Sequence, residues 1–270
     1  MSNSESSVVS SVTPEQISFF HENGFLALDP ITTPDEIAWM RESYDRIFSQ
    51  RAGREEGNQF DLGGTDEEGK EATLPQILNP AKYAPELNGG LYLKNAQAIA
   101  RQLLNPNAGG GVAHAIFKPA GIGAPTPWHQ DEAYWDPQWQ YYNVSFWMPL
   151  QEATIENGCL WFVPKSHYWE ILPHRSIGND PRIHGLELAV DNAEQVTKSA
   201  VPCPLKPGGV TIHLNRTLHY SGPNKTDIAR RALILGYGVA NSPYPAPRNF
   251  SWNDIKMTPR QERAQSSQSK

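Results

Sequence analysis

His129 and Asp131 are separated by a single residue within the segment 125–135. On an extended strand, side chains two residues apart leave the same face, so one metal cation can accept both the imidazole and the carboxylate. A second imidazole would complete a set of two histidines and one carboxylate, which leaves positions open for O₂ and a chelating cosubstrate. The His-x-Asp pattern is common in chains of this length, and by itself it indicates a metal site only weakly.

A downstream segment contains a further histidine, a hydroxyl group and a basic pair. Ser221 follows His219 by two residues, and the pair Arg230-Arg231 begins eleven residues beyond that histidine. A guanidinium suits the distal carboxylate of a dicarboxylic cosubstrate because it offers two parallel, charged hydrogen bonds. If the strand continues, Ser221 lies on the same side as His219 and can supply another donor. These residues therefore predict a metal site next to a dicarboxylate site.

These motifs are part of a resemblance to a known protein family that extends over most of the chain. The chain resembles the phytanoyl-CoA dioxygenase family of Fe(II)- and 2-oxoglutarate-dependent oxygenases over roughly residues 13–240, with the motifs in the family's order and spacing. The matching pieces are residues 15–25, 129–131, 146–150, 156–167 and 219–230. The resemblance implies Fe(II) as the metal and 2-oxoglutarate and O₂ as the cosubstrates.

The resemblance also implies roles for individual residues. His129, Asp131 and His219 fall on the iron ligands, and Arg230 falls on the anchor of the 2-oxoglutarate carboxylate. Further cosubstrate contacts fall on Ser221, Trp147, Lys118 and His114. Adjacent residues on a strand face opposite ways, so Arg231 is expected to point towards solvent.

The residue at position 131 bears on the reaction. Similar iron halogenases have a small residue there, which frees a site for chloride, whereas this chain has Asp131. The sequence therefore predicts hydroxylation, or a related oxidation, of an unactivated C–H bond in a small-molecule metabolite, with release of succinate and CO₂. No basic cluster that would dock the phosphates of coenzyme A is evident, so the family's name does not predict the substrate. Three alternatives stay open: an enzyme of the same scaffold that desaturates, epoxidises or rearranges its substrate, a metal-dependent jelly-roll isomerase or lyase, and a non-catalytic small-molecule-binding protein on the same fold.

Other polar and aromatic residues are weaker candidates. The predicted wall of the substrate pocket consists of Tyr134, Trp135, Gln76 and Asn79. His213 lies six residues before His219 and is expected to pack beside the metal ligands rather than join them. His174 and His184 lie in polar loops and are expected to be exposed.

The chain begins with helical signals and continues with strand signals. Thr13 and Thr33 are each followed by proline and by apolar residues at helical spacing, and a third helix is predicted over 95–104. Short β-rich runs follow, separated by Pro, Gly and Asn, over 113–118, 143–150, 159–163, 210–213 and 232–239. This order predicts an antiparallel barrel or jelly roll supported by N-terminal helices. Together with the family resemblance, it implies a mainly β fold with a double-stranded β-helix (jelly-roll or cupin-like) core and the N-terminal helices packed on one sheet.

The chain is expected to contain one domain between two tails. Residues 1–12 are Ser-rich and predict a disordered tail, residues 13–255 the dioxygenase domain, and residues 256–270 a polar C-terminal tail. Residues 51–73 are rich in Gly, Glu and Asp, which is typical of a long, solvated loop. We hypothesise that this loop closes over the site as a lid.

Charge and composition limit the partners and the location. A formal net charge of −6 argues against nucleic-acid and anionic-membrane binding, and the apolar runs are too short to span a bilayer. Only two cysteines are present, without CxxC spacing, and the first residues do not form an apolar signal segment. These features predict a cytoplasmic protein with a small-molecule partner, and they do not determine its oligomeric state.

Overall fold

Antiparallel sheets dominate the computed structural model, which describes residues 8–268. The strands are β1 Phe25–Leu28, β2 Gln59–Asp61, β3 Pro75–Leu78, β4 Gly109–Lys118, β5 Thr126–His129, β6 Trp139–Gln140, β7 Asn143–Pro149, β8 Leu160–Phe162, β9 His174–Ser176, β10 Leu186–Leu188, β11 Val201–Cys203, β12 Val210–Leu214, β13 His219–Ser221, β14 Arg230–Gly238 and β15 Ser242–Pro243. The helices are α1 Pro14–Asn23, α2 Pro34–Ser49, α3 Leu91–Leu103, α4 Ala193–Thr197, α5 Ser251–Asp254 and α6 Pro259–Gln268.

Two larger sheets form the jelly roll. The first has seven strands in the order β1-β12-β7-β14-β4-β3-β2, and the second has four strands in the order β11-β8-β13-β5. The ribbons β9-β10 and β6-β15 complete the described strands. The predicted mainly β, jelly-roll fold is confirmed, and the strands occur where the β-rich runs predicted them, with ends shifted by a few residues.

The seven-stranded sheet has two different faces because strand side chains alternate. On β14, Leu233 and Leu235 pack with the helices in the largest apolar cluster, whereas Ala232 and Ile234 belong to the cluster between the two sheets. Trp147 of β7 pairs with Ile234 and contributes to the same inner cluster. One face of the seven-stranded sheet therefore packs on the helices, and the other faces the four-stranded sheet, where a functional site can form.

The first two helices begin where local signals predict. Thr13 accepts a hydrogen bond from the backbone of Gln16, whose side chain accepts one from the backbone of Thr13, and Thr33 caps α2 in the same way through its hydroxyl. Helix α1 ends at Gly24, whose left-handed φ of 82° favours glycine. The buried side of α2 covers the sheet, so the expected packing of the N-terminal helices on one sheet is confirmed.

Helix α3 begins at Leu91, four residues before its predicted start. Its N-cap residue, Gly90, has no side chain, and the carboxylate of Glu36 on α2 accepts hydrogen bonds from the N–H groups of Leu91 and Tyr92 instead. A carboxylate at this position accepts hydrogen bonds from unpaired N–H groups of the first helical turn. Its negative charge also interacts favourably with the positive end of the helix dipole. The capping group lies far away in the sequence, so no local pattern reveals it.

The segment 51–73 differs from the predicted solvated loop. It contains β2, which pairs with β3 at the edge of the seven-stranded sheet. Asp61 is buried and accepts hydrogen bonds from the N–H groups of Gly63, Thr73 and Leu74. The Asp66 side chain is 7% exposed and forms ion pairs with Arg54 and Arg263, so much of this segment is fixed by its own carboxylates.

Both predicted tails include residues that pack on the core. Residues 1–7 lie outside the described residues, but Val12 is buried in the main apolar cluster, and the N–H group of Val9 donates to Pro30 at 2.8 Å. In the C-terminal segment, α6 is fixed by Arg263, which binds Asp66 and the Arg54 carbonyl. The polar composition of the C-terminal segment concealed its packing because a long-range ion pair of Arg263 with Asp66 stabilises it.

Within residues 8–268, no helix combines the length and the apolar character needed to cross a membrane.

Replacing Asp61 tests how much the edge of the sheet depends on one carboxylate. We expect Asp61→Ala to lower the free energy of unfolding by about 3 kcal/mol, because three backbone N–H groups lose a charged acceptor. Urea denaturation followed by tryptophan fluorescence measures this change. Asp191→Ala, which removes an exposed carboxylate, should change stability by less than about 0.5 kcal/mol. Equal denaturation midpoints for the two variants would contradict the anchoring role.

Candidate metal and cosubstrate site

Strand pairing brings His129, Asp131 and His219 together. His129 ends β5 and pairs directly with His219 of β13. Gln130 keeps an extended backbone, with φ −113° and ψ 129°, so Asp131 leaves the chain on the same side as His129 before a 3-10 turn begins. One ligand atom from each of the three residues lies within 4.8 Å of the others, a separation that fits a shared metal ion.

Backbone carbonyls orient both imidazoles. The Nδ1 atom of His129 lies 2.8 Å from the Pro127 carbonyl oxygen, and the Nδ1 atom of His219 lies 2.9 Å from the Thr217 carbonyl oxygen. A carbonyl accepts only, so Nδ1 carries the proton in each ring and the Nε2 lone pair is available. This arrangement is common for metal-binding histidines because it fixes both the tautomer and the ring orientation.

The two oxygens of Asp131 have different surroundings. Oδ2 accepts a hydrogen bond from the Ser145 hydroxyl at 2.9 Å and lies 3.3 Å from Nε2 of His213. Oδ1 lies 3.5 Å from Nε2 of both His129 and His219. Ser145 and His213 therefore hold the outer oxygen, and the inner oxygen faces the two imidazoles. His213 occupies the place beside the ligands that its spacing predicted.

The protonation states suit a metal site. Burial acts to raise the pKa of Asp131, but His219, His129 and His213 together hold it well below its ordinary value. Burial, with the neighbouring His129 and His213, lowers the pKa of His219 well below its ordinary value. At neutral pH the carboxylate is ionised and His219 is neutral, which are the forms that bind metals.

The residues on either side of Asp131 are buried and fix the ligand segment. The Gln130 side chain donates to the Arg216 carbonyl at 2.9 Å and accepts from the Leu172 N–H at 2.8 Å. Glu132 is completely buried and binds the guanidinium groups of both Arg216 and Arg248. A buried charge requires such partners, so this network keeps the ligand segment in one conformation.

Arg230 lies at the start of β14, in the wall of the cavity that contains the metal ligands. Its side chain is 1% exposed, and its Nε and Nη1 atoms have no hydrogen-bond partner among the described residues. The guanidinium carbon lies 5.2 Å from the Trp147 ring centre. Burial lowers the pKa of Arg230 to about 10, so the group is charged at neutral pH. A buried cation with free donors is costly unless an anion binds there.

Two of the predicted cosubstrate contacts have other partners in this structure. Lys118 pairs with Arg230 across the strands, and its amino group donates to the carbonyls of Ser221 and Gly222. Burial and the nearby Arg230 lower the pKa of Lys118 well below its ordinary value. The Ser221 hydroxyl donates to the Gly158 carbonyl at 2.9 Å. The Ser221 side chain would have to rotate to donate a hydrogen bond to a cosubstrate carboxylate. Lys118 holds the backbone of Ser221 and Gly222 in place.

A cavity of about 620 Å³ connects the metal ligands with Arg230. Its wall includes six further predicted residues, Ser221, Trp147, His114, Tyr134, Trp135 and Gln76. Asn79 is not part of this wall. Its backbone has a φ of 49° before a 3-10 turn, and its N–H group donates to the Ala113 carbonyl, so the substrate contact of Asn79 stays a prediction.

The predictions for two histidines are corrected. His184 lines the cavity, and His174 is 4% exposed and accepts a hydrogen bond from the Gln130 N–H group at 3.2 Å. Burial lowers the pKa of His174 to about 4. The loops around both residues are polar, and nothing in the local sequence indicates that they fold back onto β5. Ser145 was also missed, although its position two residues before Trp147 on one strand places both on the same face.

Comparison with known proteins identifies the family. The family model described as Phytanoyl-CoA dioxygenase (PhyH) matches residues 20–232. This chain belongs to that family. Among relatives, a probable alpha-ketoglutarate-dependent hypophosphite dioxygenase of Stutzerimonas stutzeri is 28% identical over 84% of this chain and 79% of that protein. A phytanoyl-CoA dioxygenase of Arabidopsis thaliana is 25% identical over 84% of this chain and 89% of that protein.

Solved structures agree with this family membership. EvdO2 from Micromonospora carbonacea var. aurantiaca, in complex with 2-oxoglutarate, superposes with a TM-score of 0.76 at 38% identity, covering 91% of this chain and 98% of that protein. The carbocyclase SnoK from nogalamycin biosynthesis shares the fold at 20% identity with a TM-score of 0.66, covering 88% of each chain. The predicted family, jelly-roll fold, iron and 2-oxoglutarate are therefore confirmed, and the chain is a 2-oxoglutarate-dependent oxygenase.

The Ser145 hydroxyl offers a test of how Asp131 is positioned. We expect Ser145→Ala to weaken the binding of Co(II), used as a coloured probe for the metal site, by about tenfold, because Oδ2 loses a hydrogen bond that orients the carboxylate. Titration followed by visible absorption measures the affinity. Ser199→Ala removes an exposed hydroxyl and serves as the control. An unchanged affinity in Ser145→Ala would exclude this role.

Proposed function

We propose that this chain hydroxylates an unactivated C–H bond of a small-molecule metabolite, with Fe(II) bound by His129, Asp131 and His219. The observation that carries this proposal is the free, buried guanidinium of Arg230 in the same cavity as the two imidazoles and the carboxylate. A metal site alone fits many reactions, whereas a metal site beside a buried cation fits a chelating dicarboxylate.

Iron and 2-oxoglutarate supply, with O₂, the oxidising chemistry, and succinate and CO₂ are the co-products. Arg230 binds the distal carboxylate of 2-oxoglutarate, because its Nε and Nη1 atoms provide two donors that have no partner among the described residues. The Trp147 ring beside the guanidinium restricts its position. Arg230 thereby orients the cosubstrate, and its positive charge compensates the negative charge of the distal carboxylate in the buried wall of the cavity.

Asp131 favours hydroxylation over halogenation. A carboxylate at this position occupies a coordination site that a halide would otherwise need, and Ser145 and His213 hold that carboxylate in place. The cavity wall adds apolar side chains, among them Leu78, Leu160 and Ile234, which keep water away from the reacting atoms. Tyr134, Trp135 and Gln76 form the part of the wall that we assign to the substrate.

The alternatives fit less well. A metal-dependent isomerase or lyase on this fold has no need for a buried cation beside the metal, and neither does a protein that only binds a small molecule. Proteins of the same fold include the carbocyclase SnoK and the epimerase SnoN, so the fold does not determine the outcome of the oxidation. Asp131 supports hydroxylation over halogenation, since its carboxylate takes the place a halide would need.

Arg230 and its neighbour Arg231 form a matched pair for testing cosubstrate binding. We expect Arg230→Gln to weaken 2-oxoglutarate binding by about a hundredfold, because two charged hydrogen bonds are lost. Anaerobic titration of the Fe(II) enzyme, followed by the visible charge-transfer band, measures this affinity, and metal binding should be unchanged. Arg231 points the other way and binds Asp45, so Arg231→Gln should retain the wild-type affinity. Failure of the wild-type enzyme to develop the band would refute the cosubstrate assignment.

The role of Asp131 is tested by turnover. We expect Asp131→Ala to abolish succinate release from 2-oxoglutarate in the presence of Fe(II) and O₂, because the metal loses a charged ligand. Chromatographic assay of succinate detects the loss. Asp136→Ala changes an exposed carboxylate five residues away and should keep wild-type release. Normal turnover in Asp131→Ala would remove this residue from the ligand set.

A further inference from the structure

We propose that the substrate carries an oxyanion, a carboxylate or a phosphate, which binds between His184 and Lys256 beside Tyr134. This inference rests on the proposed function, because it assigns the substrate side of the same cavity. It concerns His184 and Tyr134 of the cavity wall and Lys256, which lies over the Tyr134 ring, and not Arg230, which is assigned to the cosubstrate.

A series of neighbouring rings leads from the metal ligands to this position. The Tyr134 ring lies 6.0 Å from the His129 ring and 5.9 Å from the His184 ring, measured between centroids. The Lys256 amino group lies 4.8 Å from the centre of the Tyr134 ring. Tyr134 and His184 both line the cavity. A group bound at His184 and Lys256 would therefore leave the rest of a small substrate close to the metal ligands.

His184 has an unused polar atom. Its Nδ1 is buried and has no hydrogen-bond partner among the described residues, although an unsatisfied buried polar atom is costly. Burial, with Lys256 and Arg260 nearby, lowers the pKa of His184 to about 3, so the imidazole is neutral and can donate one hydrogen bond. The ring packs edge-on against Phe60 at 5.0 Å, which limits its rotation. A ligand with an acceptor oxygen would satisfy this atom.

Lys256 has no anionic partner within the described part of the chain. It is partly buried, none of the ion pairs there includes it, and its amino group lies over the face of the Tyr134 ring. Burial and the nearby Arg260 lower the pKa of Lys256 to about 8, so the amine is mostly charged at neutral pH. A partly desolvated ammonium group without a carboxylate attracts an external anion.

The acidic groups near this position are already engaged. Asp131 faces the imidazoles of the metal site, and Asp66 forms ion pairs with Arg54 and Arg263. Arg260 adds positive charge behind the Phe60 ring, 4.7 Å from its centre, while its Nε donates to a backbone carbonyl. The charged groups that act on His184, Lys256 and Arg260, are both positive, which favours an anion over a cationic group.

Backbone contacts hold both donors in position. Next to His184, the Gly185 N–H donates to the Leu62 carbonyl at 3.0 Å, and the following N–H, of Leu186, donates to the Tyr134 hydroxyl at 2.7 Å. Next to Lys256, the Met257 N–H donates to the Pro181 carbonyl at 2.9 Å. The site is thus built from two segments that are fixed on the ordered core.

Binding of matched probes tests this inference. The enzyme is loaded anaerobically with Fe(II) and saturating 2-oxoglutarate, and 3-phenylpropionate, phenyl phosphate and the neutral 3-phenylpropanamide are titrated by calorimetry. We expect at least one anionic probe to bind about tenfold or more tightly than the amide, because it gains a charged hydrogen bond. The anion that binds more tightly identifies the substrate as a carboxylate or a phosphate.

Variants assign the preference to the proposed residues. Lys256→Gln and His184→Phe should each remove most of the preference for the anionic probe while retaining the affinity for the amide and the charge-transfer band. Lys198→Gln removes an exposed lysine and should keep the full preference. A wild-type enzyme with no preference, or a preference that survives in Lys256→Gln, would overturn the inference. Loss of the band in the wild-type enzyme refutes the proposed function instead, so the two failures are distinguishable.

Discussion

The carboxylate of Asp131 is the interaction on which the site depends, because it links the two sheets. Its inner oxygen faces His129 and His219 of the four-stranded sheet, and its outer oxygen contacts Ser145 and His213 of the seven-stranded sheet. A shift of either sheet by one residue would turn these side chains to the opposite face. The register of four strands therefore determines whether the three ligand atoms meet.

Arg230 imposes a second constraint. A guanidinium that is 1% exposed, with two nitrogens that find no partner among residues 8–268, destabilises the fold by itself. Lys118, directly across from it on β4, adds another buried amino group that is partnered by backbone carbonyls. Such features persist where function requires them, and a dicarboxylate that neutralises Arg230 would stabilise the folded protein.

The predictable part of the molecule depends on local patterns. Helix starts at Thr13 and Thr33 involve groups three residues apart, and the alternation along β14 follows from strand geometry. The motif around His129 and the later His219 indicated the metal site, and the longer series of motifs indicated the family. The order of helical and β-rich segments, together with that resemblance, predicted the jelly-roll fold. The Glu36 cap of α3 could not be predicted, since its partners are distant in the sequence.

By itself, then, the sequence determined the fold class, the metal-ligand candidates and the basic residue at position 230, because each of these is encoded in residue type and short spacing. The tertiary structure decided which side chains surround them. It placed Ser145 against Asp131, turned Lys118 and Ser221 towards backbone carbonyls, excluded Asn79 from the cavity, and brought His184 and the C-terminal Lys256 to Tyr134. These contacts join segments far apart in the chain, and only packing and long-range electrostatics select them.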